Sequence, residues 1–395
     1  MRLNDRLFRH WFPTGSRRLT ALTLAALLGF LAAPWQAATA QSLTLPPLAS
    51  RSWLLLDVGA NQLIASQAAR DRVEPASLTK LMTAYVVFAA LRDRKLTLDQ
   101  VVPISTRAWK TGGSKMFVDP KKPVTVDELL HGMIIQSGND AAVALAEAVS
   151  GSEEAFASAM NAEGKRLGLT GSHFMNASGL PNPQHYSTAF DLGVIASAII
   201  RDFPDRYSLY SVKEYRYSNI TQPNRNRLLW LDPNVDGLKT GHTESAGYCL
   251  IASARRSDRR MLAVVVNAPS DSVRAQEAQV LLNFGFQAFD TLRVKEKDKP
   301  VSALAVWKGK SAMVNAGVSS DILVAIPRGT DERIKADLSS QQPLLAPIAR
   351  GQRVGTLSVT YEGRTIGEYP VVALEEVPVA GIFGRMWDTI RLWIK

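Results

Sequence analysis

Residues 75–86 read PASLTKLMTAYV and place a serine and a lysine three positions apart, Ser77 and Lys80. A serine hydroxyl is a weak nucleophile at neutral pH and needs a base within reach. Three residues along a helix make nearly one turn, so both side chains project from the same face. Ser77 also has an ordinary reading. It follows Pro75 and precedes an apolar periodic run, where a serine often caps a helix. The pattern alone decides little, because Ser-x-x-Lys should arise about once or twice by chance in a chain of this length.

Two further triplets change the weight. Ser137-Gly138-Asn139 stands in MIIQSGNDAAVALAE, at a break between two helical segments. Lys239-Thr240-Gly241 stands in NVDGLKTGHTESAGYCL, at the end of a short strand-like run. Each is expected by chance at roughly a tenth of a match per chain. Their order and placement match the Ser-x-x-Lys, Ser-x-Asn and Lys-Thr-Gly set of enzymes that form a penicilloyl-serine, with Gly138 where the usual middle triplet has aspartate.

The residue types suit that chemistry. Lys80 is a base only when neutral, and the helix N-terminus and a second ammonium, Lys239, both disfavour its charge. Ser137 can relay a proton between Lys80 and a leaving amine. Asn139 can hold the lysine and a substrate amide by hydrogen bonds. Lys239 and Thr240 suit a carboxylate. A developing oxyanion needs two donors, and the backbone N–H groups of Ser77 and His242 are the candidates.

Rival chemistries are poorly supported. The chain has no Gly-x-Ser-x-Gly elbow and no His-Glu-x-x-His pair. Its five histidines, His10, His131, His173, His185 and His242, are scattered. A single cysteine, Cys249, excludes an internal disulfide, and its apolar setting in GYCLIASA points to the core. No metal or other cofactor is expected. The formal charge is +10. No basic run is interleaved with aromatic residues, so no nucleic-acid partner is expected.

The positioning elements can be read along the chain. Arg2, Arg6, Arg9, Arg17 and Arg18 precede the apolar run LTALTLAALLGFLAA, which ends near Ala38-Thr39-Ala40. That is the build of a secretory signal over residues 1–40. A retained anchor is the competing reading, but the run is short for a full span. Without this segment the charge excess falls to +6. The runs at 52–58 and 62–66 flank GAN as a hairpin. Residues 77–200 are mostly helical in period. Strand-like runs return at 235–240, 247–255 and 261–268, and a helix candidate follows at 271–290. The pattern predicts an α/β sheet with an inserted helical lobe over 41–292. After the charged stretch TLRVKEKDKP, residues 293–377 read as a small all-β domain, a sandwich.

With these residues in hand, the chain resembles the low-molecular-mass penicillin-binding proteins, the D-alanyl-D-alanine carboxypeptidases of the Gram-negative periplasm. EPASLTKLMTAYVV, IIQSGNDAAVALAE, HFMNASGLPNPQHYSTAFDL, NRNRLLW and NVDGLKTGHTESAGY all carry the likeness, which runs from about residue 45 to the end. The resemblance implies a β-lactamase/transpeptidase-like catalytic fold. It implies that Ser77 forms the acyl-enzyme with Lys80 as general base, and that Ser137, Asn139 and Lys239 complete the pocket. Thr240, Gly241 and His242 would line the substrate strand, and Arg274 would help bind the terminal carboxylate. The loop GGSKMF at 112–117 would lie near the site.

The implied reaction removes the last D-alanine from a peptidoglycan stem pentapeptide, and β-lactam antibiotics would acylate Ser77 durably. A β-lactamase is the alternative. It is disfavoured because no Glu in 140–238 has an Asn four residues later to activate water. DD-endopeptidase action on cross-links would use the same site. A non-catalytic wall-binding module would need decayed triplets, and these are intact.

The closing residues 380–395, AGIFGRMWDTIRLWIK, set Ile382, Phe383, Met386, Trp387, Ile390, Trp393 and Ile394 on one helical face, with Arg385, Asp388, Arg391 and Lys395 mainly opposite. The segment is too short and too charged to span a bilayer. An amphipathic helix over 378–395, lying in the lipid interface, would hold the protein on the outer face of the inner membrane, and a terminal helix docked on the β domain is the competing reading.

Overall fold

The computed structural model describes residues 44–394. The expected secretory segment at 1–40 lies outside the described residues. Strands β1 (Ser52–Asp57) and β2 (Gln62–Gln67) form the expected hairpin. A long helical excursion follows, which includes the small hairpin β3 (Glu214–Tyr217) and β4 (Ile220–Pro223). The chain then returns as β5 (Val235–Thr243), β6 (Gly247–Arg256) and β7 (Arg259–Ala268). The five-stranded sheet has the order β2-β1-β7-β6-β5, with every neighbouring pair antiparallel. This leaves β5 at an edge.

Alternation along the strands builds two cores from one sheet, because successive side chains point to opposite faces. Leu54, Ile251, Leu262 and Val264 face the helical lobe. Leu55, Ala252, Ala263 and Val265 face the other way, against Leu281 and Leu282 of the helix Asp271–Ala288. Covering both faces explains why CLIASA and MLAVVV are almost unbroken apolar runs.

At the centre of the lobe is α1 (Lys80–Arg92), buried on nearly every side by Leu81, Met82, Tyr85, Val87 and Phe88. Around it lie α2 (Val126–Ile135), α3 (Asn139–Ser150), α4 (Glu153–Arg166) and α5 (Ala189–Asp202). Their starts are written in the sequence. Thr125 and Glu128 form a reciprocal capping box on α2, Ser152 caps α4 and Thr188 caps α5. Ser77 is not such a cap. It lies inside a tight 3₁₀ turn, Ala76–Thr79, that runs into α1, and neither start carries a side-chain cap. Helix α6 (Asp271–Ala288) is capped by Ser270.

The first half of the charged stretch after α6 belongs to a strand, β8 (Phe289–Lys295), paired with β11 (Ile322–Pro327). It runs through residues 292 and 293. A second sheet combines β9 (Pro300–Trp307), β10 (Met313–Gly317), β12 (Ile334–Ser340), β13 (Leu344–Leu345), β14 (Arg353–Tyr361) and β15 (Arg364–Ala373) in the order β12-β14-β15-β10-β9-β13. Val314, Val324, Leu357, Val359 and Val371 fill a separate third core. Gln62 ties β2 to β11, donating to Ala325 O at 2.9 Å and accepting from Ala325 N at 3.0 Å. The chain closes with α7 (Ile382–Ile394). Among the described residues no helix is long and apolar enough to cross a membrane.

Candidate active site

Three segments distant in sequence converge beside the edge strand β5. Lys80 Nζ donates to Ser77 Oγ at 2.9 Å, to Asn139 Oδ1 at 2.7 Å and to the Ser178 carbonyl at 2.6 Å. Two of these partners can only accept. The orientation of the Asn139 amide is fixed because its Nδ2 donates to Gly112 O at 2.8 Å. A neutral amine has two N–H bonds and one lone pair. With both N–H bonds committed to the carbonyl oxygens, the lone pair faces Ser77 Oγ, which then becomes the donor.

The electrostatics favour that neutral state. Burial pushes Lys80 down from 10.5 to about 7, helped by the Arg225 charge and opposed by Asp140. Lys239, also buried, lies well below its ordinary value through burial and then the charges of Lys80, Arg225 and Arg274. Its Nζ donates to Thr240 O at 3.0 Å. The sequence named the helix N-terminus and a second ammonium, and burial, the largest cause, was not among its reasons. Arg225 is another contribution it missed.

Backbone geometry supports these contacts. Gly179 adopts φ +80°, and a Cβ there would fall 1.8 Å from Ala76 O, so only glycine lets this segment pass behind the Ser77 turn. Asn176 Oδ1 accepts from Ser178 N at 3.2 Å and Gly179 N at 2.7 Å, which fixes the carbonyl offered to Lys80. Gly241 performs the same service on β5. A Cβ there would approach Pro75 O to 3.2 Å and Ser77 N to 3.3 Å, so its absence brings the strand against the turn. Behind the turn, buried His185 bonds Thr79 Oγ1 through Nε2 at 2.8 Å and accepts from Met175 N at 3.2 Å. Burial holds its imidazole neutral, down at about 4.

The remaining expected residues are distributed unevenly. Ser137 is buried with φ 62°, and its Oγ has no hydrogen-bond partner among the described residues. It therefore makes no bond to Lys80 in this state. Thr240 is buried, whereas His242 is exposed and stacks on Tyr248 with ring centroids 4.1 Å apart. Arg274 is buried. It donates to Gly241 O at 2.9 Å and Cys249 O at 3.3 Å and pairs with Asp271, so it clamps β5 to β6. Together with Arg225, Gln136, His242 and Tyr248 it lines a cleft of about 550 Å³. The loop at 112–117 does reach the site, since Asn139 N donates to Ser114 O at 2.7 Å. Asp140 secures that loop by accepting from Met116 N at 2.8 Å and Phe117 N at 2.8 Å. Cys249 is fully buried, as expected of a core residue. Among the described residues no group of three or more His, Cys, Asp or Glu side chains is placed to hold a metal ion.

Comparison with known proteins agrees with this geometry. Residues 37–270 match the family described as D-alanyl-D-alanine carboxypeptidase, and residues 289–379 match the C-terminal domain of penicillin-binding protein 5. The chain is 40% identical over 385 residues to the D-alanyl-D-alanine carboxypeptidase DacC of Escherichia coli, covering 95% of this chain and 96% of that protein. Penicillin-binding protein 5 from Haemophilus influenzae superposes with a TM-score of 0.81 at 38% identity, over 85% of this chain and 99% of that one. Penicillin-binding protein D2 from Listeria monocytogenes, solved in an ampicillin-bound form, aligns with a TM-score of 0.57 at 28% identity, over 62% of this chain and 100% of that one. A catalytic α/β fold with an inserted helical lobe, a separate β domain and the triplets converging at β5 together place this chain in the D-alanyl-D-alanine carboxypeptidase family.

Proposed function

We propose that this chain is a serine-type D-Ala-D-Ala carboxypeptidase that removes the terminal D-alanine of peptidoglycan pentapeptides through an acyl-enzyme on Ser77. The observation that carries the reading is the Lys80 amine, poised near neutrality with its remaining valence on Ser77 Oγ. Neutral Lys80 takes the hydroxyl proton as Oγ attacks the scissile carbonyl. The oxyanion is held by the N–H groups of Ser77 and His242. The proton passes to the leaving amine, with the unpartnered Ser137 hydroxyl as relay. The C–N bond breaks and D-alanine leaves. Lys80 then draws a proton from water, which hydrolyses the ester and restores Ser77.

Asn139 orients Lys80 and the substrate amide. Thr240, Lys239 and Arg225 receive the terminal carboxylate, whose charge offsets the cost of burying Lys239. Gly241 and His242 provide the strand edge against which the peptide lies, and Arg274 forms the wall of that cleft. β-Lactams would acylate Ser77 as inhibitors.

The chain divides into a catalytic domain over 41–292, a β domain over 293–377 and an amphipathic helix from 378. That helix attaches the enzyme to the outer face of the inner membrane, in the periplasm. This reading is supported by the exposed Ile382, Phe383, Met386, Trp387 and Trp393. The test is to incubate wild type and Ser77→Ala with labelled penicillin and then with a pentapeptide. Stable labelling and D-alanine release in the wild type, both lost by a thousandfold or more on the order expected for a missing nucleophile, support the proposal. Rapid penicillin turnover without D-alanine release would refute it.

A further inference from the structure

If the reaction proceeds as proposed above, the departing residue, its carboxylate at Thr240 and Arg225, lies in the cleft between β5 and the segment 222–227. That cleft holds about 550 Å³, far more than a residue whose side chain is one methyl group requires. Burial alternates along Asn224-Arg225-Asn226-Arg227. The two asparagines are buried and pin the segment: Asn224 Nδ2 donates to Val212 O at 3.0 Å, and Asn226 Nδ2 donates to Gly237 O at 2.9 Å. Arg225 and Arg227 are exposed, and both line the cleft.

The charges there do not balance. Three guanidinium groups, on Arg225, Arg227 and Arg274, line the cleft against one carboxylate, on Asp271. Asp271 is already shared. It pairs with Arg274 and accepts from Arg227 Nη1 at 3.4 Å, a long contact to an exposed arginine that holds only weakly. The terminal carboxylate of the peptide offsets one surplus charge. Arg274 is committed to the carbonyls of Gly241 and Cys249. Arg227 is left with N–H donors beyond its contact to Asp271. Gln136 also lines the cleft, is 3% exposed, and its Nε2 has no hydrogen-bond partner among the described residues. A buried amide donor without an acceptor is costly, and an acceptor that enters the cleft relieves that cost.

We propose that this cleft also takes terminal D-residues with an acidic side chain, whose second carboxylate is received by Arg227 while Gln136 donates to the incoming residue. The bond chemistry is that of D-alanine release: the same amide C–N bond breaks, and the departing amine takes up the proton. The test uses three pentapeptides that differ only in the last residue: D-alanine, D-glutamate and D-glutamine. Release of that residue is measured as kcat/KM for wild type, Arg227→Gln and Arg227→Lys, and for wild type at low and high salt. D-Glutamine has the size of D-glutamate without its charge, so the ratio of the two isolates the second carboxylate.

Wild type should release D-glutamate roughly twofold to fivefold more efficiently than D-glutamine, the range for exposed charge pairs. The ratio should fall to about one in Arg227→Gln, survive in part in Arg227→Lys, and shrink in wild type as salt rises. A wild-type ratio of one or below, or a ratio that either Arg227→Gln or salt leaves unchanged, would overturn the subsite. In those outcomes labelled penicillin still marks Ser77 and D-alanine is still released. A wild type that is neither labelled nor releases any terminal residue contradicts the reaction itself, and the subsite falls with it.

Discussion

The two ends of the molecule carry opposite kinds of exception to ordinary burial. Beside β5, lysine amines are inside: Lys80 is 1% exposed and Lys239 3%. In α7, large apolar groups are outside: Phe383 is 89% exposed and Trp393 91%. A buried charge and an exposed apolar patch are the two arrangements that a folded chain does not adopt for its own stability. The cost at β5 lowers Lys80 to about 7, which suits the base proposed above. Among the described residues, Lys308 N donates to Asp388 Oδ2 of α7 at 2.6 Å, and Phe383 and Trp393 remain uncovered. In the function proposed above, the first exception serves chemistry and the second a surface.

The sharpest way to break the first half of the comparison is steric. Gly179→Ala drives a methyl into the Ala76 carbonyl and should destabilise the fold by about 2–3 kcal/mol. A denaturant midpoint equal to that of wild type would show that the backbone behind Ser77 is not rigidly set. Arg225→Gln should lower kcat/KM for D-alanine release by roughly tenfold to a hundredfold by removing a charged contact to the carboxylate. It should also move the rise of activity to higher pH, because Arg225 holds Lys80 down. An unchanged pH profile would remove Arg225 from the account. The smallest effect belongs to α7. Phe383→Ser and Trp393→Ser should each weaken partition onto anionic vesicles by about tenfold, while D-alanine release in solution stays at the wild-type level. Unchanged partition would return the helix to a purely structural role.

What was legible in the sequence follows the same physics. Ser77, Lys80, Asn139 and Lys239 could be named because their chemistry resides in side chains whose order along the chain is rare. The strands 235–243, 247–256 and 259–268 were legible because burial on both faces leaves continuous apolar runs. The Ser178 carbonyl was not legible, because a backbone acceptor has no residue-type signature. Its nearest trace was Asn176 and the glycine at 179 in NASGLPN. Arg225 was hidden among the 46 lysines and arginines of a basic chain. Only folding reveals which of them faces two buried amines. Arg274 was read as a carboxylate ligand. Its position near the site was right, but much of its guanidinium is occupied by the strand carbonyls and Asp271.

The central claim is that an amine kept uncharged by burial deprotonates Ser77. The most direct measurement is the second-order rate of Ser77 acylation by penicillin across pH. Lys80 is protonated, and so inactive as a base, below its value of about 7, so the rate should rise with pH through a single ionisation near there and level off above it. A midpoint near the 10.5 of an ordinary lysine, or the same profile in Lys80→Met, would contradict the account.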